Sequence, residues 1–128
     1  MAKSGKIWGV TEAIEVNPLV EMHRIEVNAG HRCSVHKHNY KWNGFFVEKG
    51  ELVIEIYREN SVTDQTILRA GDYTAIKPGL YHCFVCTENS IAFELYWPEP
   101  MGDQDIDRLN QGTSLTDEEM KKFRSIWR

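Results

Sequence analysis

The residues best equipped for chemistry in this chain are His36 and His38, one residue apart, and His82 further along. Side chains on an extended segment alternate between faces with period two, so an HxH pair on a strand presents both imidazoles to one side. Two neutral imidazoles held that way make half of a divalent-ion site. His82 follows Pro78-Gly79, where a strand is expected to begin. Taken together, the three imidazoles form a donor set suited to Zn, Fe, Mn, Ni or Co, with positions left open for water or substrate. The plainer alternative is that the histidines sit on a solvated strand face.

The other soft or basic side chains carry less. Cys86 shares strand parity with His82, but four residues of strand separate them by about 13 Å, too far for one ion. Cys33, Cys83 and Cys86 read as small buried residues, and their odd number argues against a complete disulfide framework. That points to a reducing, cytoplasmic setting. His23 and His31 show no pairing at ligand spacing and read as ordinary polar residues. Arg32 has the parity of His36 and His38, which makes it a candidate inward cation for substrate. Lys77 and Tyr81 flank the turn leading to His82 and join it as candidate substrate contacts.

The elements that must position these groups are short strands. Lys6-Ile7-Trp8-Gly9 reads as an edge strand, Asn17-Pro18 as a turn, and Glu21 to Val27 as a strand broken by Gly30. Arg32 to His38 is expected as the next strand, and Phe45 to Val47 as a buried one ending at Lys49-Gly50. Leu52 to Tyr57 alternates, with Leu52, Ile54 and Ile56 on one face. A hairpin loop from Glu59 to Asp64 leads to a strand over Gln65 to Arg69, then a tight turn at Gly71-Asp72. Thr74 to Ile76, Tyr81 to Cys86 and Ser90 to Trp97 complete the set. Many short strands between Gly, Pro and Asn turns predict an all-β sandwich or barrel, and a jelly roll satisfies that pattern.

The strands end at Pro98-Glu99-Pro100. Residues 1–98 are therefore expected to form the barrel, and 99–128 an extension with one short helix. Thr116-Asp117-Glu118-Glu119 is a capping box, with Leu115 and Met120 placed for a hydrophobic staple. Met120, Phe123 and Trp127 fall on one helical face, which should pack on the barrel or on a partner subunit.

Length and charge bound the partners. A chain of 128 residues supports one core. A formal charge of −4 gives no electrostatic reason to expect nucleic acid or an anionic membrane. No apolar run approaches the roughly 20 residues of a membrane span. A small molecule is the expected partner.

Two stretches carry a family resemblance. Gly30-x5-His36-x-His38-x4-Asn43-x6-Gly50 has the layout of the first motif of the cupin superfamily, and Gly71 through His82 resembles the second. The resemblance implies a double-stranded β-helix barrel in which His36, His38 and His82 are metal ligands. It makes Asn43 the fourth ligand position, normally a glutamate; Asn43 offers a neutral amide oxygen, a weaker donor that lowers affinity for a divalent ion. Lys77 stands where many cupins have proline.

Beyond the superfamily, the chain resembles the cupin domain of type II mannose-6-phosphate isomerases. Lys6-Ile7-Trp8-Gly9, His23-Arg24-Ile25, the gap-free stretch from Ala29 to His38, and Gly102 to Arg108 carry that likeness. It implies a metal-dependent isomerase or epimerase of a sugar or sugar phosphate. The departures are Asn43, the stretch from Tyr40 to Gly44, and the missing family element at Asn110 to Thr113, which together leave no general base in view. Two other classes compete: a three-histidine Fe(II) dioxygenase, which such cupins also resemble, and a metabolite-binding cupin without turnover. The resemblance also implies a homodimer paired through sheet edges.

Overall fold

Alternating apolar and polar residues run through most of the chain, and eight antiparallel strands result among the described residues. The structure, a computed structural model, describes residues 3–59, 61–98 and 113–126. In chain order the strands are β1 (Lys3–Lys6), β2 (Gly9–Val16), β3 (Glu21–Val27), β4 (His31–Arg32), β5 (Lys41–Arg58), β6 (Ser61–Arg69), β7 (Tyr73–Ile76) and β8 (Tyr81–Pro98). One helix, α1 (Asp117–Ile126), follows.

Two long strands organise the barrel. β5 and β8 pair antiparallel from Lys41 opposite Pro98 to Tyr57 opposite Tyr81. The pairing shifts register between Val47 and Leu52. Such bulges bend a strand, and here each strand passes from one sheet to the other. The first half of β5 pairs β7 and the second half pairs β6, while β8 pairs β4 early and β3 late. One sheet runs β1-β2-β3-β8-β5-β7 and the other β4-β8-β5-β6, which is the jelly roll expected from the strand pattern.

At the bend, Gly50 has φ +90°, and a Cβ there would strike the Ser90 hydroxyl and lie 2.5 Å from the Asn89 carbonyl oxygen. The Glu51 amide donates to Ser90 Oγ at 2.9 Å, which ties the bulge to β8. Between the sheets lie Ile25, Val27, Phe45, Leu52, Ile54 and Phe84, all buried. Burial of each such side chain is worth about 2 kcal/mol against exposure.

Several local expectations change. Ile7 and Trp8 form the turn of a β1–β2 hairpin rather than part of a strand, and β2 is a strand the sequence reading passed over. Phe46 faces outward at 38 % exposure, because alternation buries only its neighbours Phe45 and Val47. The two strands expected between Tyr81 and Trp97 are one, and Ser61 to Asp64 already belong to β6 rather than to a loop. Asn60 lies outside the described residues.

The segment Arg32 to His38 is not a strand. β4 sets Arg32 opposite Val85, and an isolated bridge sets His36 opposite His82. Four steps along this segment thus face three along β8, and the extra residue reverses facing between Arg32 and His36.

At the helix, the Thr116 amide donates to Glu119 Oε1 at 3.0 Å, and the Glu119 amide donates to Thr116 Oγ1 at 3.1 Å, forming the capping box. Phe123 remains 44 % exposed. Trp127 and the stretch from Gly102 to Arg108 lie outside the described residues. No described helix is long and apolar enough to cross a membrane.

Candidate metal centre

Backbone pairing brings the three histidines together. The His36 amide donates to the His82 carbonyl at 3.0 Å, and the His82 amide returns the bond to His36 at 2.8 Å. The Gly79 amide donates to the His38 carbonyl at 2.8 Å, tying the turn before β8 to the same segment. The rings then lie 4.8 Å (His36–His82), 5.1 Å (His36–His38) and 5.6 Å (His38–His82) apart, centre to centre. Each offers a ring nitrogen within 4.8 Å of the other two. Bond lengths of about 2.1 Å to one ion require the rings to draw in by about 1 Å.

The outer hydrogen bonds of His36 and His82 are made through Nδ1. His36 Nδ1 donates to the Ser34 carbonyl at 2.8 Å, and His82 Nδ1 donates to the Leu80 carbonyl at 2.9 Å. A backbone acceptor on Nδ1 fixes the tautomer whose Nε2 carries the lone pair. His38 Nε2 is buried with no hydrogen-bond partner. Burial lowers the pKa of His38, and it brings that of His82 down to about 4 despite the Leu80 bond, so both rings are neutral at pH 7.

Asn43 supplies the test of whether a cation fits. Its side chain is fully buried, with Nδ2 donating to the Leu95 carbonyl at 3.2 Å and the Glu94 carboxylate beside it. Those acceptors turn Oδ1 toward His82 Nε2, 2.9 Å away. His82 therefore faces an acceptor at both nitrogens, and a neutral imidazole has one proton to give. A proton on both is disfavoured by burial, so a metal cation shared by Nε2 and Oδ1 satisfies every group. Two donors about 2.1 Å from an octahedral ion sit about 3 Å apart, which matches the observed gap. The residues present fit a divalent transition metal.

A carboxylate that sequence reading missed lines the same cavity. Glu94 on β8 is 8 % exposed, and the Tyr96 hydroxyl donates to its Oε2. Burial raises the Glu94 carboxyl pKa, against the lowering effect of the Tyr96 bond. Burial likewise raises the phenol of Tyr96, followed by the charge of Glu94. Both residues line a cavity of about 480 Å³ together with His36, His38 and Ser34. Trp8 forms part of its apolar wall, and Glu21 and His23 contribute polar groups. His23 is therefore a cavity residue, its ring 6.0 Å from that of Tyr96. Cys33 also faces the cavity; burial pushes its thiol up to about 12, which keeps it protonated.

The signal for Glu94 was present in the sequence. Along Ser90 to Trp97, parity groups Ser90, Ala92 and Glu94 as buried, with Tyr96 continuing that face. A glutamate in that series stands out against its small and apolar neighbours on the buried face.

The expected substrate contacts lie elsewhere. Arg32, on the reversed face, donates to Glu55 Oε1 at 2.6 Å and to the Tyr57 hydroxyl at 2.9 Å, and it reaches Cys83 Sγ at 3.3 Å. Lys77 is exposed after β7, and Tyr81 sits beneath the Lys37 ammonium, 5.0 Å from its ring centre. None of the three lines the histidine cavity. Lys6 is the lysine that does.

Residues 23–98 match the cupin domain family model. The chain is similar in structure to KdgF from Halomonas sp., at 15% identity over 78% of this chain and 90% of that one, with a TM-score of 0.66. An RmlC-like cupin from Shewanella frigidimarina NCIMB 400 is 21% identical over 76% of this chain and 84% of its own, with a TM-score of 0.60. The W96Y oxalate decarboxylase of Bacillus subtilis is 14% identical over 76% of this chain and 27% of its own, with a TM-score of 0.66. These likenesses establish the fold. No curated protein matches the sequence.

Proposed function

The chain belongs to the cupin domain family, and within it we propose a metal-dependent isomerase or epimerase acting on a small hydroxy-carbonyl compound of the sugar class. The observation that carries the reading is Glu94, a buried carboxylate held by Tyr96 in the wall of the cavity that His36 and His38 also line. His36, His38 and His82, with Asn43 as a weak fourth donor, would hold the ion. When bound, that ion polarises an adjacent hydroxyl–carbonyl pair.

Glu94 removes a proton from the carbon beside the carbonyl and returns it to the carbonyl carbon while the hydroxyl proton passes to the carbonyl oxygen, or returns it to the other face of the same carbon. Its raised pKa suits that exchange, since a base poised nearer the working pH both accepts and releases the proton. Tyr96 holds the carboxylate in place, and Trp8 offers an apolar surface to the substrate's carbon face. Lys6 is the lysine positioned to meet an anionic substituent, so a phosphate is less well provided for than a neutral sugar. Three unpaired cysteines fit a reducing compartment, and the cytoplasm is the proposed location.

The test is solvent-deuterium incorporation into candidate aldoses and ketoses by the metal-loaded protein and by Glu94→Gln. Incorporation by the wild type that falls at least about 100-fold in the variant, with metal content unchanged, supports the reading. Equal rates in both would remove Glu94 from the chemistry. A second reading, an Fe(II) dioxygenase, is favoured by the all-neutral donor set; iron in the purified protein with oxygen uptake on a small thiol or diketone would put it first. Binding without turnover of either kind would leave a metabolite-binding cupin.

A further inference from the structure

The parity that turns His36 and His82 into the barrel turns their neighbours out. Val35 and Tyr81 stand on the far side of the His36–His82 bridge, 46 % and 48 % exposed. Register sets Tyr57 of β5 opposite Tyr81 of β8, so both rings belong to the outer face of the smaller sheet. Val35, Tyr57, Tyr81 and Glu59 line a second cavity, of about 390 Å³, and no described residue lines both this one and the histidine cavity. Its aromatic walls are held in place. The Tyr57 hydroxyl donates to Glu55 Oε1 at 3.0 Å and accepts from Arg32 at 2.9 Å, while the Lys37 ammonium lies 5.0 Å from the centre of the Tyr81 ring. Glu59 follows β5 with φ +53°, a left-handed conformation that residues other than glycine seldom adopt and that recurs at binding sites.

We propose that this cavity binds a small organic cation, an alkylammonium or quaternary ammonium group, between the two tyrosines and Glu59. A cavity of this size, walled mainly by aromatic and apolar side chains with one charged group, has the form of a small-molecule site. The sign of the ligand follows from the lining. Glu59 is the one charged residue among the four, and its neighbour Arg58 is committed to Asp64 at 2.6 Å, so no described residue pairs with the Glu59 carboxylate. The face of a tyrosine ring attracts a cation held within about 6 Å of its centre. The chain's own Lys37 already uses Tyr81 in that way. An anion finds no such welcome: the Arg32 guanidinium is bound to Glu55 at 2.6 Å and to Tyr57, so an acidic ligand would meet Glu59 with little to offset it. Lys37 is thus an internal occupant, which an incoming ammonium group displaces from the Tyr81 ring.

The test is a titration of the full chain with choline, followed by heteronuclear NMR of the backbone amides, beside the neutral isostere of choline in which carbon replaces the nitrogen. We expect saturable shifts at Val35, Tyr57 and Tyr81 with a Kd of about 10 mM or tighter, and binding of the isostere weaker by at least about fivefold. Glu59→Gln and Tyr81→Leu alter exposed side chains and should each weaken choline binding at least about threefold. Lys37→Met removes the internal competitor and should tighten it by about threefold, with the remaining amide signals showing each variant folded. Shifts that do not saturate by about 50 mM overturn the proposal, as do shifts centred on Trp8 and Glu94 in the other cavity. So does an isostere that binds as well as choline, a Glu59→Gln protein that binds as tightly as the wild type, or a Lys37→Met protein that binds more weakly.

Discussion

Asn43 is where the chemistry of the site is decided. Its amide oxygen meets His82 Nε2 at 2.9 Å, while its nitrogen is committed to the Leu95 carbonyl. Replacing it with aspartate keeps the shape, adds a charge where the ion would sit, and removes the bond to the Leu95 carbonyl. Asn43→Asp should tighten transition-metal binding at least about tenfold, read by competition with a chromophoric chelator, while costing the metal-free protein about 1 kcal/mol. His82→Ala should do the reverse, losing the ion altogether and leaving the Asn43 amide oxygen buried and unpaired. The histidines were legible in the sequence from HxH spacing and from a second motif ending in His82. Glu94 was not found, because no motif announces it; its position follows from parity along β8, and parity was not carried through Ser90 to Trp97.

At the scale of elements, the segment between β4 and the His36 bridge shows where parity fails. Counting by twos assigned Arg32 to the histidine face. One extra residue against β8 sends it outward to Glu55, Tyr57 and Cys83 instead. A bulge has no signature in a run such as Arg32-Cys33-Ser34-Val35, so it could not be read before the pairing was known. Arg32→Met should therefore leave metal binding and any turnover unchanged, and cost at most about 1 kcal/mol of stability, because the side chain is 53 % exposed. Gly50 presents the opposite case, a bend that only glycine allows. Gly50→Ala should lower stability by about 2 kcal/mol or more in chemical denaturation, since the new methyl meets backbone and hydroxyl atoms of β8 at φ +90°. A Gly50→Ala protein as stable as the wild type would mean that β5 and β8 bend elsewhere.

For the whole molecule, the jelly roll was legible because many short strands between turn residues leave few other ways to close a single core. Joining the expected segments into two long strands, β5 and β8, was not legible, because the bulges from Val47 to Leu52 look like turn sequence. Those two strands make the fold and the site one object: they carry Asn43, His82 and Glu94 inside the barrel and Tyr57 and Tyr81 outside it. Metal should therefore stabilise the entire barrel. At a free ion concentration about 100 times the dissociation constant, binding adds about 2.7 kcal/mol, so removing the ion with a chelator should lower Tm by about 10 °C.

The central claim is that His36, His38 and His82 hold a transition metal in a cavity walled by Glu94, and metal analysis tests it most directly. The protein would be purified without a chelating tag, reconstituted with each candidate ion, dialysed and analysed by mass spectrometry beside His38→Ala and Glu94→Gln. The account predicts about one ion per chain in the wild type and in Glu94→Gln, and less than about one tenth of that in His38→Ala. A wild type that retains no ion, or a His38→Ala protein that retains as much, would contradict it.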